Sequence, residues 1–106
     1  MKNLLKKILN FLKKKKFNYP LVFVLWEDAQ SSITWENIED TKTKPHSVCC
    51  SVGYLISRTK ESTVLTSDFG FAEFDGKIIL EDCGNAIIIP SHNILKISYI
   101  KYDYNL

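Results

Sequence analysis

The chain has 106 residues, of which 45% are hydrophobic and 25% are charged. This size predicts a single domain, and the composition argues against a disordered or membrane-spanning chain. The formal net charge of +2 hides an asymmetry, because seven of the fourteen basic residues lie in the first nineteen positions and no acidic residue precedes Glu27. The remaining chain carries a net charge of −5 from seven basic and twelve acidic residues, which excludes a uniformly basic nucleic-acid surface.

Residues 1–19 are predicted to form a basic amphipathic helix or extension that precedes a small β domain at residues 20–106. The apolar residues recur at helical spacing, with lysines on the opposite face; they are Leu4, Leu5, Ile8, Leu9, Phe11 and Leu12. The interruption by Lys6 and Lys7 disfavours a signal peptide, and no apolar run approaches the ~20 residues of a membrane span. Two alternatives stay open: the helix docks on its own domain or a sister subunit, or it lies on an anionic membrane.

The rest of the chain reads as short strands separated by turn signals. Alternating or dense apolar patterns predict strands at residues 21–26, 47–57, 62–67, 71–74, 77–80, 86–89 and 95–102. Asp75-Gly76 is the strongest hairpin signal, and Gly53 within a strand predicts a bulge or bend. Residues 90–93 are predicted to form a turn or a single 3₁₀ turn.

One internal segment, residues 35–40, has a helical pattern. Thr34 is the predicted N-cap, and Trp35 and Ile38 share a face that would bring Trp35 back over the sheet. Together these elements predict a mainly β fold, a small closed β-barrel of the SH3 or Sm kind with one short internal helix.

No residue pattern indicates catalysis or metal binding. The cysteines Cys49, Cys50 and Cys83 lack CxxC spacing, so we expect free, mostly buried thiols in a reducing compartment. His46 and His92 stand at no metal or catalytic spacing, and Asp28 beside Glu27 is better explained as a turn residue than as a catalytic carboxylate. We therefore expect a protein that is not an enzyme and uses no cofactor or metal.

Trp26 and Trp35 bracket a polar bend and have two interpretations. Core packing is the usual role of strand and helix tryptophans. Alternatively, their indole planes frame an aromatic slot that can stack a base, with Ser31 and Ser32 and nearby backbone amides positioned to bind an anion.

The pattern of the chain resembles a group of small uncharacterised phage and prophage proteins. It reads W-x-D-A-x-S-x-x-x-W, then S-x-G-Y-L, then I-P before an apolar strand. The matching positions are Trp26, Asp28, Ala29, Ser31, Trp35, Ser51, Gly53, Tyr54, Leu55, Ile89, Pro90, Ile94 and Ile97. The resemblance spans about residues 21–100, while the lysine-rich N-terminal segment and the hairpin at Asp75-Gly76 lengthen this chain beyond the compact form of the group.

The resemblance implies phage origin and a binding role in the cytoplasm of a bacterial host. By analogy with oligomeric sponge proteins, it predicts a homo-oligomer that sequesters a small anionic ligand, such as a cyclic or linear nucleotide signal of antiviral defence. The predicted ligand-binding residues are Trp26, Asp28, Ser31, Ser32, Trp35, His46 and Arg58, with Arg58 best suited to phosphate. The alternative is an SH3- or Sm-like adaptor that binds protein or nucleic acid through its basic N-terminal helix. In either case, weak membrane-surface or nucleic-acid contacts are expected at Lys13, Lys14, Lys15 and Lys16.

Overall fold

The computed structural model describes residues 2–14, 17–29 and 35–102. Strands dominate these residues, as predicted. The elements in chain order are α1 (Lys2–Lys13), β1 (Leu21–Asp28), α2 (Ile38–Lys42), β2 (Ser47–Arg58), β3 (Ser62–Thr66), β4 (Asp68–Phe74), β5 (Lys77–Gly84), β6 (Ile87–Pro90), a 3₁₀ turn (Ser91–Asn93) and β7 (Ile94–Ile100). The predicted strands and the predicted 3₁₀ turn are therefore present, with small shifts at their ends.

The strands form two separate sheets rather than the closed barrel predicted from the sequence. Five strands pair in the order β6-β3-β2-β1-β7, and β4 pairs only with β5. The prediction of closure is wrong because β6 and β7 stand at opposite edges of the larger sheet. β6 has only four residues and ends in Pro90, which lacks an amide hydrogen, so it offers few donors with which β7 could close the sheet.

The core lies on one face of the five-stranded sheet. Its buried members, Val22, Val24, Leu65 and Ile89, come from β1, β3 and β6. On β2 the small residues Ser51 and Gly53 stand opposite Val24 and Val22, so small side chains meet large ones across the strands. The larger β2 residues Val48 and Val52 point to the other face and are 62% and 56% exposed.

Gly53 permits a close approach between β2 and β3. A Cβ atom at this position would lie 3.0 Å from the carbonyl oxygen of Thr66 and 3.2 Å from the Cβ of Leu65. The register shift of β2 falls between Leu55 and Ser57, so the bulge predicted at Gly53 lies a few residues further along. The glycine is needed for space rather than for the bulge.

The β4–β5 hairpin turns at Asp75-Gly76, as predicted. Both turn residues have positive φ angles, 50° for Asp75 and 73° for Gly76. Two consecutive positive φ values are the geometry of a type I′ turn, whose twist matches that of the strands it joins. Phe74 and Lys77 form the last pair before the turn.

The internal helix begins later than the sequence predicted. The side chain of Asn37 accepts a hydrogen bond from the amide of Glu39 at 2.8 Å and caps α2, while the predicted cap Thr34 lies outside the described residues. Glu36, just before the cap, is ion-paired with Lys44. Trp35 therefore does not return over the sheet; it is fully exposed, and its predicted core role is wrong.

Five aromatic side chains join the two sheets and the segment after α1. The cluster consists of Phe17, Tyr19, Tyr54, Phe69 and Tyr102. Phe69, on the hairpin, stacks on Tyr19 with ring centroids 5.2 Å apart and meets Tyr54, on β2, at 5.4 Å. Phe17 packs edge-on against Tyr54 and Phe69 at 5.2 and 5.1 Å. The hydroxyl of Tyr102 donates a hydrogen bond to the carbonyl of Tyr19 at 3.1 Å, so the cluster holds chain segments from both ends of the domain.

Helix α1 docks on the hairpin, which is one of the two alternatives that the sequence left open. Phe11 meets Phe71 edge-on with centroids 6.1 Å apart, and Lys7 pairs with Glu73 at 2.8 Å. The three cysteines are free, as predicted, but Cys50 and Cys83 are exposed rather than buried.

We predict that Gly53→Ala lowers the free energy of unfolding by about 1–3 kcal/mol, because the added methyl group overpacks the β2–β3 contact. Gly84→Ala is the matched control, since the nearest atom to its new Cβ lies 3.9 Å away. Urea unfolding followed by tryptophan fluorescence measures both. Equal stabilities for the two variants would show that β2 and β3 are not in close contact at Gly53.

The aromatic cluster also predicts a pH dependence of stability. Burial, with a smaller contribution from Tyr102, raises the pKa of Tyr54 above its ordinary value of 10.0. The unfolded chain therefore loses this proton at lower pH than the folded chain, so stability is retained below pH 10.0 and falls as the pH rises through the folded pKa. We expect Tyr54→Phe to flatten the alkaline loss of stability in urea unfolding at a series of pH values. An identical alkaline slope in the variant would assign the loss to other groups.

Candidate functional site

One cleft in the described part of the chain lies between α1 and the tip of the β4–β5 hairpin. Its volume is about 310 Å³, which falls at the lower end of the range for small-molecule sites. The α1 wall consists of Lys7, Asn10, Phe11 and Lys14, and the hairpin wall of Gly76, Lys77 and Ile78. Asn10 and Phe11 follow Lys7 by three and four residues, and Lys14 stands directly after the end of α1, seven residues after Lys7, so the four share one side of the helix.

The charge of this cleft, which we call the lysine cleft, is positive. Lys7 and Lys14 stand on the helix wall and Lys77 on the hairpin wall, while none of the seven lining residues is acidic. Lys7 is paired with Glu73 at 2.8 Å, with side chains 43% and 38% exposed. An ion pair this exposed stabilises by at most about 1 kcal/mol, so Lys7 can exchange Glu73 for an anionic ligand at low cost.

The lining offers several kinds of contact to an anion. An ammonium group presents three donors and a compact positive charge, and the amide of Asn10 adds a donor and an acceptor. Phe11 and Ile78 add apolar surface to the two walls, against which a ring or alkyl group can pack. The arrangement can bind and orient a small anion.

Two other clefts differ in chemistry from the lysine cleft. One of about 280 Å³ is lined mainly by aromatic and apolar residues, with Asp68 as its charged residue. Another of about 130 Å³ lies beside Tyr19 and Phe69 and includes Glu81 and Asp82. Carboxylates repel anions, so the lysine cleft is the better candidate for an anionic ligand.

The two tryptophans of the predicted slot differ in their surroundings. The Nε1–H of Trp26 donates a hydrogen bond to the Oγ of Ser51 at 3.0 Å, and its ring packs against the buried core. Trp35 is exposed on both ring faces, following residues 30–34, which lie outside the described part. Trp26 therefore acts as a core residue, whereas Trp35 is free to stack on a partner ring.

Of the remaining predicted site residues that the structure describes, Asp28 and His46 lie at the same end of the sheet and Arg58 lies at the other end of β2. Ser31 and Ser32 lie outside the described residues, and Asp28 is exposed at the end of β1. His46 Nδ1 lies 3.3 Å from Glu27 Oε2 at the same end of the sheet. Arg58 ends β2 twelve residues after His46, a separation on the order of 30 Å or more along a strand, so one chain does not bring Arg58 to the tryptophans.

Of the cleft residues, the sequence predicted only Lys14 as a contact residue, within a lysine run expected to contact a membrane surface or nucleic acid, and it did not predict Lys7. Asn10, Phe11, Lys77 and Ile78 were not predicted as site residues. The signal that was available is the position of Lys77 directly after the Asp75-Gly76 turn, since a hairpin tip projects from its sheet and can meet a helix. Nothing local indicated that α1 would be the element it meets.

We predict that replacing Trp26 lowers the stability of the protein far more than replacing Trp35. Trp35→Ala should change the free energy of unfolding by less than about 0.5 kcal/mol, because the side chain is fully exposed. Trp26→Ala should cost about 3 kcal/mol through loss of packing and of the Ser51 hydrogen bond. Urea unfolding gives both values, and acrylamide quenching should be strong for Trp35 and weak for Trp26. A large loss of stability in Trp35→Ala would mean that this side chain packs against the protein.

Comparison with protein-family models, curated proteins and solved structures finds no significant match to the chain. Within the described ranges, no three His, Cys, Asp or Glu side chains are grouped so as to hold a metal ion. In the same ranges, neither helix has the length and apolar character needed to cross a membrane. Any function assigned to the chain therefore has to be argued from the lysine cleft and the surfaces described above.

Proposed function

We propose that the chain is a non-enzymatic binding protein and that its ligand is a small anion of about nucleotide size. The observation that carries this proposal is the lysine cleft, where three lysines from two elements face a volume of about 310 Å³. This volume and the mixed polar and apolar lining suit a phosphate group attached to a ring. The proposal keeps the ligand class expected from the sequence and moves its site from the tryptophans to α1 and the hairpin.

The biological setting of the proposal comes from the resemblance to small phage and prophage proteins. A phage protein in the bacterial cytoplasm that holds a nucleotide signal without consuming it would blunt the host response that depends on the signal. The α1 and hairpin segments that form the lysine cleft are the parts that lengthen this chain beyond the compact form of that group. In this proposal the added segments supply the ligand site, and the common sheet supplies the scaffold.

The strand order supports an SH3- or Sm-like origin for the larger sheet. β7 returns beside β1, and a 3₁₀ turn directly precedes it. Small barrels of this kind commonly serve as adaptors, which is the second candidate function, with nucleic acid bound by the basic helix. The docking of α1 on the hairpin favours the first candidate, because Lys7 and Lys14 face the cleft instead of forming a separate basic arm.

We predict that Lys14→Glu combined with Lys77→Glu weakens binding of an anionic probe at least tenfold, since charge-assisted contacts contribute about 1.5–3 kcal/mol each. The probes are inorganic pyrophosphate, a mononucleotide and a cyclic dinucleotide, measured by isothermal titration calorimetry at two salt concentrations. Lys60→Glu combined with Lys101→Glu makes the same change in net charge at two exposed positions and should leave the affinity within about twofold.

The outcomes separate the candidate functions. Recovery of the intact probe after denaturation, with binding lost only in the cleft variant, supports sequestration. Equal losses of probe affinity in the cleft and control variants would show that binding depends on net charge alone, and the lysine cleft would then not be the binding site. Binding of a single-stranded oligonucleotide alone, with a steep salt dependence, would favour the adaptor. Conversion of a probe to products would show an enzyme.

A further inference from the structure

The two edges of the five-stranded sheet differ in how well they are protected against pairing with another chain. β6 has four residues and ends in Pro90, two features that natural sheets use to block an edge. β7 has seven residues without proline, and β1 is the one described strand with which it pairs. The regular part of this edge, from Lys96 to Ile100, leaves backbone donors and acceptors available for a further strand, and the bulge at Leu95 ends that part.

The side chains of β7 complement themselves when the strand is paired with a copy of itself in antiparallel orientation. With the two-fold axis at Ile97, Leu95 stands opposite the partner's Tyr99, and Tyr99 opposite the partner's Leu95. Both side chains are unusually exposed for their types, at 54% and 61%. Pairing about this axis would bury two such pairs, and aromatic–aliphatic cross-strand pairs are stabilising.

The position of the charged residue of β7 is also compatible with this pairing register. The lysine of β7, Lys96, stands opposite the partner's Ser98, so the two copies of Lys96 do not face each other. The regular part of the β1–β7 ladder runs from Lys96 to Ile100, and the register shift at its other end involves Leu95. The residues next to the axis, Lys96, Ile97 and Ser98, therefore belong to the regular part in both copies.

We propose that β7 is the surface through which two copies of the chain associate, by antiparallel pairing about Ile97. Pairing of β7 with the partner's β6 is less favourable, because it allows at most four residues and ends at Pro90. It would also be head-to-tail, which builds rings or filaments instead of a closed dimer. The dimer would give a form to the homo-oligomer expected from the sequence, and it is independent of the lysine cleft, whose residues lie on other elements.

The test is sedimentation equilibrium of the full chain without ligand, over a wide range of protein concentration. We expect the unmodified chain to dimerise. Tyr99→Lys and Leu95→Glu should each raise the dimer dissociation constant at least about tenfold, because each puts an unpaired charge opposite an apolar side chain twice per dimer. The double variant should regain most of the affinity, since the new carboxylate and ammonium face each other across the axis.

Two controls keep the outcomes decisive. Ile88→Lys alters an equally exposed residue on β6, 68% exposed, and should leave the dimer intact. Circular dichroism identifies any variant that fails to fold, and amide exchange in β7 of the unmodified chain should slow as its concentration rises. A chain that is monomeric throughout, or a dimer lost in Ile88→Lys but kept in Tyr99→Lys, overturns the proposal whatever the result of the ligand titrations.

Discussion

The aromatic cluster of Phe17, Tyr19, Tyr54, Phe69 and Tyr102 is the contact on which the arrangement of the whole chain depends. The two sheets share no strand ladder, so packing has to hold the hairpin against the larger sheet. Phe69 contributes from the hairpin, Tyr54 from β2, and Phe17 and Tyr19 from the segment after α1. Aromatic rings in edge-on and stacked contacts add a directional preference to their burial, so the cluster fixes orientation as well as proximity. The shape of the lysine cleft follows from it, because one wall belongs to α1 and the other to the hairpin.

Much of the fold was predictable where the signal is local. The Asp75-Gly76 turn needs two positive φ angles, which few other residue pairs adopt, and the strands around it alternate clearly. The errors arose where local preference was overridden by neighbours. Thr34 is a good N-cap in isolation, but Asn37 caps α2 with its own side chain, and the helix begins after Trp35. Closure of the sheet depends on whether its last two edges meet, and no local pattern encodes that.

The candidate site was less predictable because it is assembled across the chain. Lys7 and Lys14 are separated from Lys77 by more than half of the sequence, and each stretch alone reads as a solvated lysine surface. The tryptophan slot was predicted because most of its parts lie close together in the sequence. The indole N–H of Trp26 donates a hydrogen bond to Ser51 inside the domain, and Arg58 stands at the far end of β2. Proximity along the chain was a poor guide to proximity in space.

The way in which the hairpin joins the sheet has a consequence for how such chains can diversify. Leu65 of β3 pairs with Ile87 of β6, and the Thr66 hydroxyl donates to the carbonyl of Gly84 at 2.6 Å, so the hairpin leaves and rejoins the sheet at one point. A shorter turn between β3 and β6 would preserve their register. The hairpin can thus lengthen, shrink or be replaced while the pairing of β3 with β6 persists, and the lining of the cleft can change without a new core.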